Sequence, residues 1–238
     1  GTSSMPEASP SVTTTYIVSV TDNSTGSKNL VPNGSFEDGT PPTEISQFDL
    51  VNLWTAPSEG TSDYFRYDGA PRVGVPLNLF GRRSAHGGRA YAGFITYGEG
   101  SEYREYLQNR LSSTLVNGTK YTVTFYVSNP DSCLDCGGSG SSVIASNKIG
   151  VCFSSTQVNQ PIYTHLNMTP AYENLNILTD TAWTKITFDY IANGTENYLL
   201  IGNFNNDPNT SHTPGPTMTE FAYYFLDDIS MITSDAAA

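Results

Sequence analysis

Between residues 121 and 128 every second position is apolar: Tyr121, Val123, Phe125 and Val127 share one face, against threonines and Tyr126 on the other. A period of two predicts a strand with one buried side. Residues 183–191 repeat it, with Thr184, Ile186, Phe188 and Tyr190 opposite Trp183, Lys185, Thr187 and Asp189. Further strands are predicted over residues 90–96, 102–107, 148–154, 197–204 and 221–233. Asn117-Gly118 and Asn193-Gly194 mark tight turns, because such pairs accept the positive φ that hairpins demand. Neither helical heptads nor an internal repeat interrupts the series. The pattern predicts an all-β chain, a sandwich of two antiparallel sheets.

Two stretches depart from that rhythm. Residues 11–21 form a β-branched run with strand alternation from Val12 to Val20, followed by the turn-like Asp22-Asn23-Ser24-Thr25-Gly26-Ser27. This lone strand is expected to dock on a sheet, its own or a neighbour's. The chain therefore divides into residues 1–28, an N-terminal strand and linker, and residues 29–238, the sandwich. Residues 40–88, with Pro41, Pro42, Pro57, Pro71 and Pro76, are expected to hold broad surface loops of the kind that carry binding sites.

Composition narrows the function. The 238 residues include 11 Lys plus Arg against 23 Asp plus Glu, and a net charge of −12 argues against nucleic acid and anionic membrane surfaces. No apolar run is long enough to insert in a membrane, and no signal peptide precedes Gly1. Few charges and abundant Thr, Ser, Asn, Gly and Tyr suit an exported β protein whose signal has been removed. Three cysteines allow one disulfide. Cys133 and Cys136 lie in a Gly-rich loop and either staple it locally or bridge it to Cys152; a zinc site lacks a fourth ligand at a usual spacing.

The two ends carry the most specific signal. Near the start stands Asn29-Leu30-Val31-Pro32-Asn33-Gly34-Ser35-Phe36-Glu37, and near the finish Phe225-Leu226-Asp227-Asp228-Ile229-Ser230-Met231. Unbroken alternation would put Asp227 on one apolar face with Phe225, Ile229 and Met231, where a lone carboxylate is costly. A cation shared with Glu37 would neutralise it and tie the first strand to the last, with Asp228 turned to solvent.

These end motifs resemble the first and last strands of jelly-roll carbohydrate-binding modules and the galactose-binding-like domains related to them. Between them, Thr61-Ser62-Asp63-Tyr64-Phe65, Ala90-Tyr91-Ala92-Gly93, Tyr103-Arg104-Glu105-Tyr106, Phe125-Tyr126-Val127-Ser128, Leu178-Thr179-Asp180-Thr181 and Ile201-Gly202-Asn203-Phe204 resemble a domain of exported Bacteroidetes-type surface proteins. The N-terminal strand resembles the closing strand of the immunoglobulin-like or PKD-like repeats that precede such domains. The resemblance implies a jelly roll at the cell surface or outside it. It also implies a structural Ca2+ held by Glu37 and Asp227, with carbonyls and water completing six to eight oxygens.

Catalysis finds little support in the residues. Asp63 could pair with Glu102 or Glu105 across a sugar, but Glu102 and Glu105 would face opposite sides of a strand, Arg104 with Glu105 or Asp63 reads more readily as a hydrogen-bonded ion pair, and His86, His165 and His212 accompany no Gly-x-Ser-x-Gly elbow. Sugar rings stack on exposed aromatics while polar groups read their hydroxyls, so Trp54, Tyr64, Tyr67 and Tyr97 beside Asp63, Arg66 and Arg104 make a candidate platform. The sequence therefore predicts a non-catalytic, calcium-stabilised module for glycan, matrix polysaccharide or surface adhesion. The alternative is a stalk or filament subunit in which residues 12–20 pair with the neighbouring copy.

Overall fold

The computed structural model describes residues 28–133, 143–215 and 221–234. The strand expected at residues 11–21, and with it the division at residue 28, lies outside this part of the chain. Within it run β1 (Trp54–Thr55), β2 (Asp63–Arg66), β3 (Leu77–Asn78), β4 (Gly81–Arg82), β5 (Ala90–Gly98), β6 (Tyr106–Arg110), β7 (Lys120–Ser128), β8 (Gly150–Ser154), β9 (Tyr172–Glu173), β10 (Thr184–Ile191), β11 (Tyr198–Gly202) and β12 (Phe221–Thr233). One sheet has the order β1-β6-β11-β8-β9 and the other β10-β7-β12-β5-β2, both antiparallel. The chain folds as the expected all-β jelly-roll sandwich.

The alternating segments keep their predicted faces. On β7, Tyr121, Val123, Phe125 and Val127 are buried between the sheets, and on β10 Ile186 is buried with Phe188 and Tyr190 half-buried beside it. The strand expected from residue 102 starts only at Tyr106, because Glu102 takes a positive φ of 54° and the chain turns there. Strands β1 to β4 fall inside the stretch read as loops. At two to four residues each they offer too little length for a period of two.

The phase of β12 inverts part-way along. Ala222, Tyr224 and Leu226 face the space between the sheets, while Tyr223 and Phe225 face an outer apolar cluster with Phe65, Leu79, Phe80 and Tyr91. A β-bulge between Asp227 and Ser230, with Asp228 at φ 48°, inserts one residue, after which Ile229 and Met231 point inward. Asp227 therefore shares a face with Phe225 but not with Ile229 and Met231. The expected single apolar face is broken in two.

The margins of the sandwich differ. Beside β1 and β2 the core is closed by residues 29–52, whose Val31, Phe36, Phe48 and Val51 are buried. The opening motif is a set of turns rather than a first strand, and it takes the edge of β12 that β5 leaves after Leu226. The Leu30 amide donates to the Met231 carbonyl at 2.8 Å, the Ile229 amide donates to the Gly34 carbonyl at 2.8 Å, and the Asn29 side chain bonds both Ile229 and Met231. Among the described residues, nothing covers the core beside β9 and β10 in this way. There Phe153 stacks on Tyr190 at 4.4 Å and Tyr172 on Phe188 at 4.5 Å, all four rings half-buried.

Candidate functional site

Glu37 and Asp227 meet one loop from two sides. Glu37 Oε1 accepts the amides of Arg89 (2.7 Å) and Ala90 (2.9 Å), and Asp227 Oδ2 accepts those of His86 (2.8 Å) and Gly87 (3.2 Å). The loop can lie this close because it is glycine: a Cβ on Gly88, whose φ is +63°, would overlap the Glu37 carboxylate. Asp228 does not turn away to solvent. Both residues of the bulge lie on the outer face, and the Asp228 carboxylate meets His86 Nδ1 at 2.6 Å while His86 stacks on Tyr126 at 3.6 Å. Burial first, then the charge of Asp228, pushes the Asp227 carboxyl up to about 8. Among the described residues no three His, Cys, Asp or Glu side chains gather in metal-binding geometry.

The other sequence candidates scatter. Trp54 and Tyr64 are core residues: the indole packs on Phe36 at 4.9 Å and donates to the Asn33 carbonyl, and the Tyr64 hydroxyl donates to the Phe36 carbonyl. Tyr97 is buried against His212. Asp63 and Arg104 are buried as well, leaving Arg66 and Tyr67 as the members with appreciable exposure. Arg66 is held by Asp68 and the Gly39 carbonyl, and the Arg89 guanidinium lies 4.0 Å from the Tyr67 ring. A platform of these seven residues does not form, because large aromatics in a sandwich are first claimed by its core.

Asp63 and Glu105 are instead a sealed acidic pair, 5% and 2% exposed. Asp63 accepts the Tyr223 hydroxyl and the Ser46 amide; Glu105 accepts the Ile95 and Thr61 amides and the Tyr103 hydroxyl. Burial raises both carboxyls, Asp63 to about 6 and Glu105 to about 8, with the Asp63 charge adding to the latter. A Cβ on Gly93 would collide with the Tyr223 hydroxyl that Asp63 holds.

An open groove lies elsewhere, on the outer side of the β1-β6-β11 sheet. It has a volume of about 410 Å³ and is lined by Leu53, Trp54, Gln108, Arg110, Gln157 and Tyr198 among others. Leu53 is 62% exposed at its rim, and among the described residues no carboxylate pairs with Arg110. The Gln108 side chain is fixed by Thr55 and by both the amide and the carbonyl of Val158. Of the seven residues of the candidate platform, Trp54 alone lines this groove, joined by Pro32 of the opening motif. Gln108 and Arg110 sit two apart on β6, beyond the end of the strand expected over residues 102–107, so their shared face was missed; that Tyr198 and Gln157 join them depends on strand order.

Cys133 is disulfide-bonded and Cys152 is a free, buried thiol, so the alternative of a bridge to Cys152 is set aside; Cys136 lies outside the described residues. Burial pushes the Cys152 thiol far up, with the Glu173 charge adding to it. Native protein is expected to leave Cys152 unmodified by a water-soluble thiol reagent that labels one thiol after denaturation. Rapid labelling of the native state would show the site to be open.

No protein-family model and no curated protein matches this chain. Solved structures do. A cyclase from Fischerella sp. TAU, in complex with 4-(1H-indol-3-yl)butan-2-one, is 15% identical with a TM-score of 0.52, over 87% of this chain and 98% of that one. These likenesses show the fold alone. The CBM22-1 xylan-binding domain from Paenibacillus barcinonensis Xyn10C is 16% identical with a TM-score of 0.45, over 89% of this chain and 98% of that one. The K1 cleaved adhesin domain of Lys-gingipain from Porphyromonas gingivalis W83 is 16% identical with a TM-score of 0.43, over 84% and 96%.

Proposed function

We propose that this chain is a non-catalytic, exported binding module that holds carbohydrate in the groove of the β1-β6-β11 sheet. The groove carries the reading: an aromatic ring from Tyr198, the exposed Leu53 and the guanidinium of Arg110, which has no carboxylate partner among the described residues, surround a space of about 410 Å³. Apolar walls suit the C–H faces of a sugar, and Arg110 with Gln157 suits its hydroxyls. The sealed state of Asp63 and Glu105 supports a non-catalytic reading, since an acid–base pair must reach its substrate within hydrogen-bond distance. The fold itself is silent on the point, because one sandwich hosts cyclases and binding domains alike. Among the described residues no helix is long and apolar enough to cross a membrane. The test is a glycan array with Tyr198→Ala and Arg110→Ala beside the parent. Binding that both variants reduce at least about tenfold is expected, and an array on which the parent is silent ends the proposal.

A structural Ca2+ at Glu37 and Asp227 belongs to the same proposal. The donors are oxygens throughout, which suits a hard cation, and Asp227 is a buried carboxylate without an ion-pair partner among the described residues. Bound there, the ion would supply the missing countercharge, while the two carboxylates would keep their hold on residues 86–90. Calcium is expected to raise the melting temperature of the parent and not of Asp227→Asn. Equal melting of the parent in calcium and in chelator would mean that the loop is held by amides and protons alone.

A further inference from the structure

Among the described residues, the margin of the sandwich at β9 and β10 lacks the protection given to the other. Among the described residues β10 pairs with β7 only, in an unbroken register from Thr184 to Ile191. Its outer edge is eight residues long with no proline and no bulge, the form of edge that recruits another strand. Alongside runs a seam between the sheets. At one end Phe153 and Tyr190 border a cavity of about 350 Å³; at the other Tyr172, Leu175, Leu178 and Ile186 border one of about 530 Å³, with Leu175 72% exposed. A strand added to β10 would satisfy the edge and, through alternate side chains, cover the seam.

We propose that this site is filled in cis by residues 12–20. Four matches support that occupant. First, the segment has nine residues against the eight of β10. Second, Val12, Thr14, Tyr16, Val18 and Val20 fall on one face, apolar enough for the seam, while Thr13, Thr15, Ile17 and Ser19 share the other, polar except at Ile17. Third, that second face suits the outer side of β10, where Lys185, Thr187 and Asp189 are exposed. Fourth, the chain can reach. Asn29 is anchored on the edge of β12 away from β7, so the site lies across β12, β7 and β10, roughly 19 Å at about 4.8 Å per strand. The nine steps from Val20 to Asn29 span up to about 30 Å. A tether of that length gives an effective concentration in the millimolar range, which favours the chain's own segment over a second copy's.

The experiment is amide hydrogen exchange on the full chain at micromolar concentration, with light scattering of the same sample and a Tyr16→Pro variant, which removes a donor and disrupts pairing. In a monomer, the alternate amides of β10 on its outer edge should exchange on the order of a hundredfold more slowly in the parent than in the variant. Fast exchange of those amides in the parent, or equal protection in Tyr16→Pro, overturns the proposal. Protection that appears only with concentration-dependent oligomers overturns the cis assignment and makes the occupant a second copy.

Discussion

Arg104→Met is expected to destabilise the fold by about 3–5 kcal/mol, the range for breaking a buried ion pair. The guanidinium is fully buried. Its Nη2 donates to Asp207 (2.9 Å) and to the Asn205 carbonyl (3.0 Å), and its Nη1 to the Tyr103 carbonyl (2.9 Å). Methionine fills much of the volume but orphans a carboxylate and two carbonyls, and it is the orphaned groups that cost most. The pairing of Arg104 with Asp207 joins the turn before β6 to the turn after β11, so its loss should open that end of the sheet. The midpoint of urea unfolding reads the effect. Adding Asp207→Leu should recover part of the loss, since it removes the stranded charge; equal midpoints for Arg104→Met and the parent would contradict the assignment.

The second large effect is on pH. Folding raises the pKa of Asp63 to about 6 and of Glu105 to about 8, both above their ordinary values near 4. Between about pH 4 and those values the folded chain binds protons that the unfolded chain has released. Stability therefore falls as pH rises, by up to about 1.4 kcal/mol per pH unit for each group in its window, and levels off above pH 8. The stabilisation is complete below the unfolded pKa and is lost through the folded one, the reverse of an ordinary salt-bridged carboxylate. Urea unfolding from pH 5 to 8 should show the decline, and Glu105→Gln, which keeps the shape without the charge, should make its upper part less steep, with Asp227, also raised to about 8, supplying the remainder. A parent whose stability rises with pH across that window would refute the account.

What the sequence yields and withholds follows from length scales. The alternation of Tyr121, Val123, Phe125 and Val127 is local, so the sandwich and the burial of β7 could be read directly. The docking of the opening motif on β12 was visible as two end motifs, but not its form. Asn29 and Gly34 reach β12 through turns, and a turn-built contact across 200 residues has no period to betray it. The platform of Trp54, Tyr64 and Tyr97 failed for a related reason: composition reveals that aromatics are plentiful, while only packing reveals which are left over. Arg110 and Tyr198 meet because β6 pairs with β11, a long-range choice that no local signal encodes.

The bulge at Asp227 makes β12 two rulers joined out of step. A spectroscopic label at an odd position before it, such as Phe225, would report on the outer cluster, whereas one at an odd position after it, such as Met231, would report on the space between the sheets. One 13-residue strand could thus tell which of the two apolar compartments loosens first during unfolding, with no second element labelled.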